Sequence, residues 1–277
     1  NCSDARPTTC YDDTSRQEAV AIYLFKVCIN EFKNISESRC NNFIKASLRI
    51  GCITDAATQR VDANGLVLAP GFIDLHTHYD AQVTWDPTLS PSPSLGVTTA
   101  VMGNCGFGIA PCPPSLREML VRNLSVVEGM DLQALRTGIQ WEFESFAQYL
   151  AQLRRIGPYL NTAVFAGHSV LRTAVMGEAG SELVEPTDEQ LDTMCRLLRE
   201  SMQDGAIGLA SSFSPNHSGY GGRPMPSTIA TERELKALTD VLGEVGKGVF
   251  MMVIATQTAM VKPMIKPMMS PATVPPP

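Results

Sequence analysis

The sequence lacks three features that would place it in a specialised class of protein. The one apolar run near its start, residues 19–29, contains Lys26 and is about half as long as a membrane-spanning helix. Its eight cysteines include no Cys-x-x-Cys pair, so neither a zinc knuckle nor a redox dithiol is indicated. Acidic residues outnumber basic ones, 28 to 22, and no basic stripe is available for nucleic-acid phosphates. We therefore expect a soluble globular protein without a membrane or nucleic-acid partner, and the cytoplasm is the default location.

A regular alternation of strands and helices is present instead. The chain has 277 residues, of which 44% are hydrophobic, enough to build a large core. Short apolar segments predict strands, and longer amphipathic segments predict helices. The predicted strands are residues 71–76, 97–102, 161–166, 206–210 and 249–254, and the predicted helices are residues 114–127, 142–155, 188–202 and 232–245. This rhythm predicts an α/β fold with a parallel sheet covered by helices.

The rhythm alone leaves both an open doubly wound sheet and a closed barrel possible. Five strands are fewer than the eight of a closed barrel, which would need on the order of 100 further residues. Short apolar pieces in residues 48–70 predict small strands before the main domain, and residues 1–47 contain cysteines but no assignable pattern. Residues 255–277 are rich in methionine and proline, which predicts a disordered tail.

His76 and His78 follow the first predicted strand and are the first candidates for chemistry. Residues two apart on a strand project to the same side, so the two imidazoles would lie together, with Asp74 behind them. Such a pair can bind one metal ion, and the carboxyl ends of parallel strands are where functional groups converge in barrels. A chance His-x-His is the alternative.

Cys105 lies directly after the second predicted strand, in Gly103-Asn104-Cys105-Gly106. Its thiol would face the same rim as the two histidines and would supply a third ligand, because a metal ionises a coordinated thiol at neutral pH. A buried structural cysteine is the alternative.

Several separated motifs resemble, in the right order, those of metal-dependent amidohydrolases, and specifically the N-acyl-D-amino-acid deacylase branch. The similarity extends from about residue 48 to about residue 250. The motifs are residues 61–80, Trp85-Asp86-Pro87, residues 96–99, residues 103–106, residues 166–172 and residues 205–224.

The resemblance implies a TIM-type barrel beside a small β-sandwich, and a zinc ion that activates water to cleave an amide. This chain would supply about the first five strand–helix units of that barrel, in residues 71–254, and a sandwich remnant in residues 48–70. By motif match, His76 and His78 correspond to the metal pair of the first strand and Cys105 to the cysteine ligand, with Asp74 supporting them. The expected substrate is a small N-acyl amino acid.

Four further residues are weaker candidates. His168 matches a family motif and is expected at the rim of the third strand, outside any helix, where it would orient substrate or water as an accessory group; a hydrogen-bonded loop histidine is the alternative. His217 is better explained as a solvated loop histidine. Tyr220 lies in a glycine-rich loop that can cover the site, and Arg223 can bind a substrate carboxylate, although a surface arginine is as plausible.

The departures from the family pattern define the alternatives. The resemblance implies further histidine ligands and a catalytic aspartate on later strands, but the chain has no histidine after His217. The first alternative is therefore a truncated, catalytically incomplete fragment with no activity of its own. The second is a hydrolase of cyclic amides, which the absence of a lysine on the fourth predicted strand argues against.

Overall fold

The computed structural model describes residues 71–182 and 185–254. The expectations for residues 1–47, 48–70 and 255–277 lie outside the described residues. Within them the chain is a mixed α/β structure that alternates short parallel strands with helices, as the apolar pattern predicts.

In residues 71–182 and 185–254, six strands form two parallel sheets of three, ordered β1-β2-β3 and β4-β5-β6. Within each sheet, every strand pairs in parallel with the next strand along the chain, and β3 and β4 do not pair with each other. The predicted third strand is wrong in one respect, because Phe165 divides it into two strands that belong to different sheets. The strands are β1 Phe72–Asp74, β2 Val97–Met102, β3 Asn161–Val164, β4 Ala166–Gly167, β5 Gly208–Ser212 and β6 Val249–Val253.

Phe165 joins the two sheets as well as dividing the strand. Its N–H donates to the carbonyl of Met102 over 2.9 Å on one side, and the carbonyl of Val164 accepts from Ile207 N–H over 3.0 Å on the other. Both sheets are thus hydrogen-bonded to the same stretch of backbone.

Six α-helices are present in the described residues, and the two with threonine N-caps begin where the sequence predicts. Thr187 and Thr231 each accept a backbone hydrogen bond from the third residue of the helix that follows, which stabilises its first turn. The helices are α1 Arg117–Val127, α2 Leu132–Gly138, α3 Phe146–Ile156, α4 His168–Met176, α5 Asp188–Asp204 and α6 Glu232–Val245.

The remaining helix boundaries differ from the pattern-based prediction for local reasons. Helix α3 begins at Phe146 rather than at residue 142 because Ser145 and Gln148 form a reciprocal capping box. Residues 114–116 form a 3₁₀ turn before α1. Helices α2 and α4 were not predicted; both are short, and α4 follows β4 without any intervening loop.

The strands separate the core into two faces. Ala100 and Met102 of β2 pack into the large core beneath the helices. The intervening Val101 faces the opposite side, with Phe165 and Ala210, as the period of two in a strand requires.

The prediction that residues 71–76 form a buried strand is wrong, because most of this segment is exposed. Phe72 and Leu75 are 68% and 71% exposed. Strand β1 is at the edge of its sheet and pairs only with β2 among the described strands, so one side of it has no neighbour there. Asp74, the last residue of β1, is likewise only partly buried.

Candidate metal centre

The two histidines of the first strand lie just beyond it. Strand β1 ends at Asp74, so His76 and His78 are carried by the loop rather than by the strand as predicted. Their rings nevertheless lie together, with centroids 5.2 Å apart in an edge-on arrangement.

Cys105 is held in a tight turn directly after β2. Its φ is 58° and its ψ is 9°, a left-handed conformation that is uncommon for a residue with a side chain. Gly103, at φ 78°, makes the turn possible because a Cβ there would come within 2.5 Å of the Phe165 carbonyl oxygen. Strain of this kind persists where the surrounding structure imposes it, and it is concentrated at functional sites.

The turn brings the thiol to both imidazoles. Cys105 Sγ lies 3.2 Å from His76 Nε2 and 3.8 Å from His78 Nε2, and the donor atoms of the three residues all lie within 4.8 Å of one another. Two imidazole nitrogens and one thiolate form a donor set that zinc favours. We call these three residues the triad.

Thr77 and Asn104 fix the loop of the triad to β2. The carbonyl oxygen of Val101 accepts from Thr77 N over 3.1 Å, from Thr77 Oγ1 over 2.7 Å and from Asn104 Nδ2 over 2.8 Å. Asn104 also donates to the carbonyl of Thr77 over 3.2 Å. Because Thr77 and Asn104 precede His78 and Cys105 directly, this network sets the spacing of the ligands.

The surroundings of His78 and Cys105 favour the neutral form of both side chains. Burial, assisted by His76 and His217, lowers the pKa of His78 to about 4. Burial and the carboxyl of Glu128 raise the pKa of the Cys105 thiol to about 12. Neutral imidazoles can bind a metal directly. The positive charge of a bound metal stabilises the thiolate, so the thiol would ionise on coordination.

Two buried carboxyls behind the triad were missed by sequence reasoning. Glu128 Oε1 lies 3.0 Å from His78 Nδ1, and burial together with Asp80 raises the pKa of Glu128 to about 8. Burial raises the pKa of Asp80 to about 7, although Oδ2 of Asp80 accepts from Gly103 N–H. Asp80 lies in the motif that carries the resemblance, whereas Glu128 is 50 residues away from His78 in the sequence and has no local signal.

His217 lies closer to the triad than the sequence predicted. Its ring packs edge-on against Phe107 at 5.0 Å, and Phe107 packs in turn against His78 at 5.9 Å. Its Nδ1 lies 2.7 Å from Ser212 Oγ, and burial, with a contribution from His76, lowers its pKa. His217 is therefore a loop histidine, as predicted, but it is half-buried and lies near the triad rather than fully in solvent.

His168 does not lie at an open rim, and its expected place outside a helix is wrong because it is the first residue of α4. Its side chain is fully buried, with Nδ1 2.8 Å from Ser211 Oγ and Nε2 2.8 Å from Glu234 Oε1. Arg172 donates to the other oxygen of Glu234. Both ring nitrogens are thus engaged within the protein, and neither faces a metal or a substrate in this arrangement.

The remaining candidates are found away from the triad or already paired. Asp74 accepts from the backbone N–H of His76 over 3.2 Å, and within the described ranges it makes no hydrogen bond to an imidazole. Tyr220 is half-exposed, with the Arg122 guanidinium over its ring at 5.2 Å. Arg223 is paired with Glu182 at 3.1 Å and with Glu178 at 3.6 Å, so binding a substrate carboxylate would require breaking these exposed ion pairs.

Comparison with known proteins agrees with the resemblance. The profile described as "Amidohydrolase family" matches residues 59–265. A D-aminoacylase of Alcaligenes xylosoxydans xylosoxydans is 41% identical over 172 residues, which is 60% of this chain and 32% of the relative.

Two solved structures extend the comparison. A D-aminoacylase studied for its binuclear metal centre aligns with a TM-score of 0.50 at 33% identity, over 65% of this chain and 33% of that one. The N-acyl-D-glutamate deacylase of Bordetella bronchiseptica, solved with zinc and a phosphonate mimic of the tetrahedral intermediate, aligns with a TM-score of 0.50 at 29% identity, over 66% and 33% of the two chains.

The chain spans about a third of the length of these relatives. In the part of the chain that the structure describes, no helix is both long and apolar enough to cross a bilayer.

Proposed function

The chain belongs to the amidohydrolase family, and we propose that it carries the zinc-binding rim of a hydrolase that cleaves the linear amide of N-acyl D-amino acids or related N-acyl compounds. The observation that carries the proposal is the convergence of His76, His78 and Cys105 within 4.8 Å. The bond that such a hydrolase cleaves is a carbon–nitrogen bond other than a peptide bond.

Each residue of the triad has a defined part in this proposal. His76 and His78 would bind the ion through Nε2, the nitrogen that each ring turns towards Cys105, and Cys105 would bind it as a thiolate. When bound, zinc acts as a Lewis acid toward water and the amide carbonyl. Thr77 and Asn104 hold the loop and the turn in place, and Phe107 covers one side of His78.

The substrate class comes from the relatives. D-aminoacylase and N-acyl-D-aspartate deacylase, at 41% and 36% identity, are named for the release of an acyl group from a D-amino acid. Asp74, Tyr220, Arg223 and His168 remain predictions as site residues, and of these we keep none in the proposed metal site.

We also infer that β1 to β6 belong to a TIM-type barrel within residues 71–254. Support comes from the parallel pairing of consecutive strands and from the apolar cluster of Val101, Phe165 and Ala210 on the face away from most of the core. A barrel places such residues in its interior, while the helices cover the outer face.

Metal binding by the full chain tests the proposal directly. The metal-free protein is titrated with Co²⁺, whose absorption reports thiolate coordination, and bound zinc is counted by mass spectrometry under native conditions. We expect a thiolate-to-cobalt charge-transfer band that is absent in Cys105→Ser. Cys195→Ser is the matched control, because Cys195 is a free cysteine on α5 outside the triad, and it should keep the band.

Hydrolysis is then assayed with an N-acetyl D-amino acid, its L-enantiomer and a cyclic amide. Release of the D-amino acid, lost on chelation and restored by zinc, is the expected result. Metal binding without hydrolysis would favour the catalytically incomplete fragment, and turnover of the cyclic amide alone would contradict the substrate class. A wild-type chain that binds neither cobalt nor zinc would overturn the proposal.

A further inference from the structure

Glu128 ends helix α1 and turns its carboxyl towards the back of His78. Oε1 of Glu128 lies 3.0 Å from His78 Nδ1, while Nε2 of the same ring faces Cys105 Sγ at 3.8 Å. The imidazole is thus placed between a carboxyl and the thiol. The two side chains are only 13% and 26% exposed, so water has little access to the contact.

The two ring nitrogens of a metal-binding histidine have different tasks. The nitrogen that binds the metal must present a lone pair, and the ring proton must then be on the other nitrogen. In the triad the metal-facing atom of His78 is Nε2, so the proton belongs on Nδ1 and needs an acceptor there. Glu128 Oε1, at 3.0 Å from Nδ1, is positioned to be that acceptor.

The Glu128 oxygen that approaches His78 is not engaged elsewhere in the described part of the chain. Oε1 is buried and has no hydrogen-bond partner in the described part of the chain, because the 3.0 Å approach to His78 is not aligned as a hydrogen bond. A buried polar atom without a partner destabilises the folded state. A small rotation of the imidazole would satisfy both groups.

Its position in the fold makes the carboxylate still more costly. Glu128 is the C-terminal cap of α1, where the helix dipole disfavours negative charge. Asp80 is a second acidic group in the same small cleft, which His78, Phe107, Leu124 and Met130 also line. A residue that works against the stability of the fold at several levels is typical of a functional site.

We propose that Glu128 is a positioning residue for metal binding, which accepts a hydrogen bond from the Nδ1–H of His78 and thereby holds Nε2 towards the ion. The inference rests on the proposed zinc site of the triad. Direct coordination by Glu128 is not part of it, because its oxygens are outside the group of donors that lie within 4.8 Å of one another.

Metal affinity in Glu128→Ala and Glu128→Gln tests the proposal. We expect Glu128→Ala to bind Co²⁺ about 10- to 100-fold more weakly than wild type, and Glu128→Gln to recover part of the loss because its amide oxygen still accepts a hydrogen bond. Glu118→Gln is the matched control: Glu118 is on the same helix but pairs with Arg122 and Arg136 at the surface, and its affinity should be unchanged.

Two readouts separate positioning from a general structural role. In the metal-free state Glu128→Ala should unfold at the same temperature as wild type or higher, since an unsatisfied buried oxygen is removed. In ¹⁵N-histidine spectra of the zinc-loaded wild type, His78 should carry its proton on Nδ1, with slowed exchange that Glu128→Ala abolishes.

The outcomes distinguish this inference from the proposed function. A wild-type chain that binds no metal would remove the triad site itself. A wild-type chain that binds metal while Glu128→Ala binds it equally tightly would overturn the inference alone. Equal weakening in Glu118→Gln would overturn it too, and if Glu128→Ala fails to fold, the wild-type Nδ1 signal and Glu128→Gln decide the question.

Discussion

His168 and His78 each lie beside a glutamate, at 2.8 Å from Glu234 and at 3.0 Å from Glu128. Around His168 both ring nitrogens and both carboxylate oxygens have partners, and the group is fully buried. Around His78 the carboxyl oxygen has no hydrogen bond, and the ring is partly exposed. The His168–Glu234 pair thus links α4, β5 and α6, whereas the His78–Glu128 pair leaves a carboxyl oxygen without a hydrogen bond in the described residues.

The difference shows which features separate the candidate ligand histidine from the structural one. Proximity to a carboxylate does not, since both histidines have it. A satisfied, solvent-free network resists any rearrangement, whereas an unsatisfied group at an accessible edge can accept a cation. Both kinds of histidine occur next to strand ends in this chain, so position along a strand does not separate them either.

The largest expected effect comes from breaking the closed network. Glu234→Ala leaves the Arg172 guanidinium and His168 buried without their shared partner, and we expect unfolding to become easier by about 3–5 kcal/mol in urea titrations. Glu244→Ala, on the same helix but in an exposed pair with Arg199, should cost at most about 1 kcal/mol. Similar losses for both variants would contradict a structural role for the network.

Zinc should stabilise the fold through the open site alone. At a free zinc concentration about 100 times the dissociation constant, the free energy of unfolding should rise by about 2.7 kcal/mol. Thermal unfolding with and without chelator measures the increment. Cys105→Ser should lose it and His168→Gln should retain it, even though His168→Gln lowers the starting stability. If the zinc-induced stabilisation were lost in His168→Gln, the assignment of His168 to a purely structural role would be contradicted.

A smaller effect on stability is expected at Tyr149, which connects α3 to the loop behind the triad. Its buried hydroxyl donates to the carbonyl of Asp80 over 2.9 Å, and burial raises its pKa well above the usual value. The folded state then binds the phenol proton more tightly than the unfolded state does, so stability should fall as the pH rises above about 10.

Tyr149→Phe should lose about 1 kcal/mol at neutral pH through the missing hydrogen bond and then show a shallower decline in alkali. Urea unfolding of both proteins between pH 8 and pH 11 provides the measurement. Parallel curves for wild type and variant would show that Tyr149 does not titrate on unfolding.

Local patterns in the sequence were sufficient for most elements. Strand β2 and helix α6 have the predicted bounds because each is a regular apolar pattern ended by clear signals, Thr231 among them. The exposure of β1 could not be predicted, since an apolar run looks the same in an edge strand and a central one. The break at Phe165 was equally hidden, because it depends on pairing partners far apart in the chain.

The three triad residues were found from motif and spacing, while their environment was not. Glu128 and His217 come from a helix end and a loop remote from His78 in sequence, and their approach depends on how α1 and the loop after β5 pack. Local periodicity and short motifs in the sequence are enough to predict the α/β rhythm, to indicate the family and to nominate His76, His78 and Cys105 as candidate metal donors. Only the tertiary structure decided which histidine is closed within a hydrogen-bond network and which faces a thiol, because burial and hydrogen-bond satisfaction depend on residues brought together from distant parts of the chain.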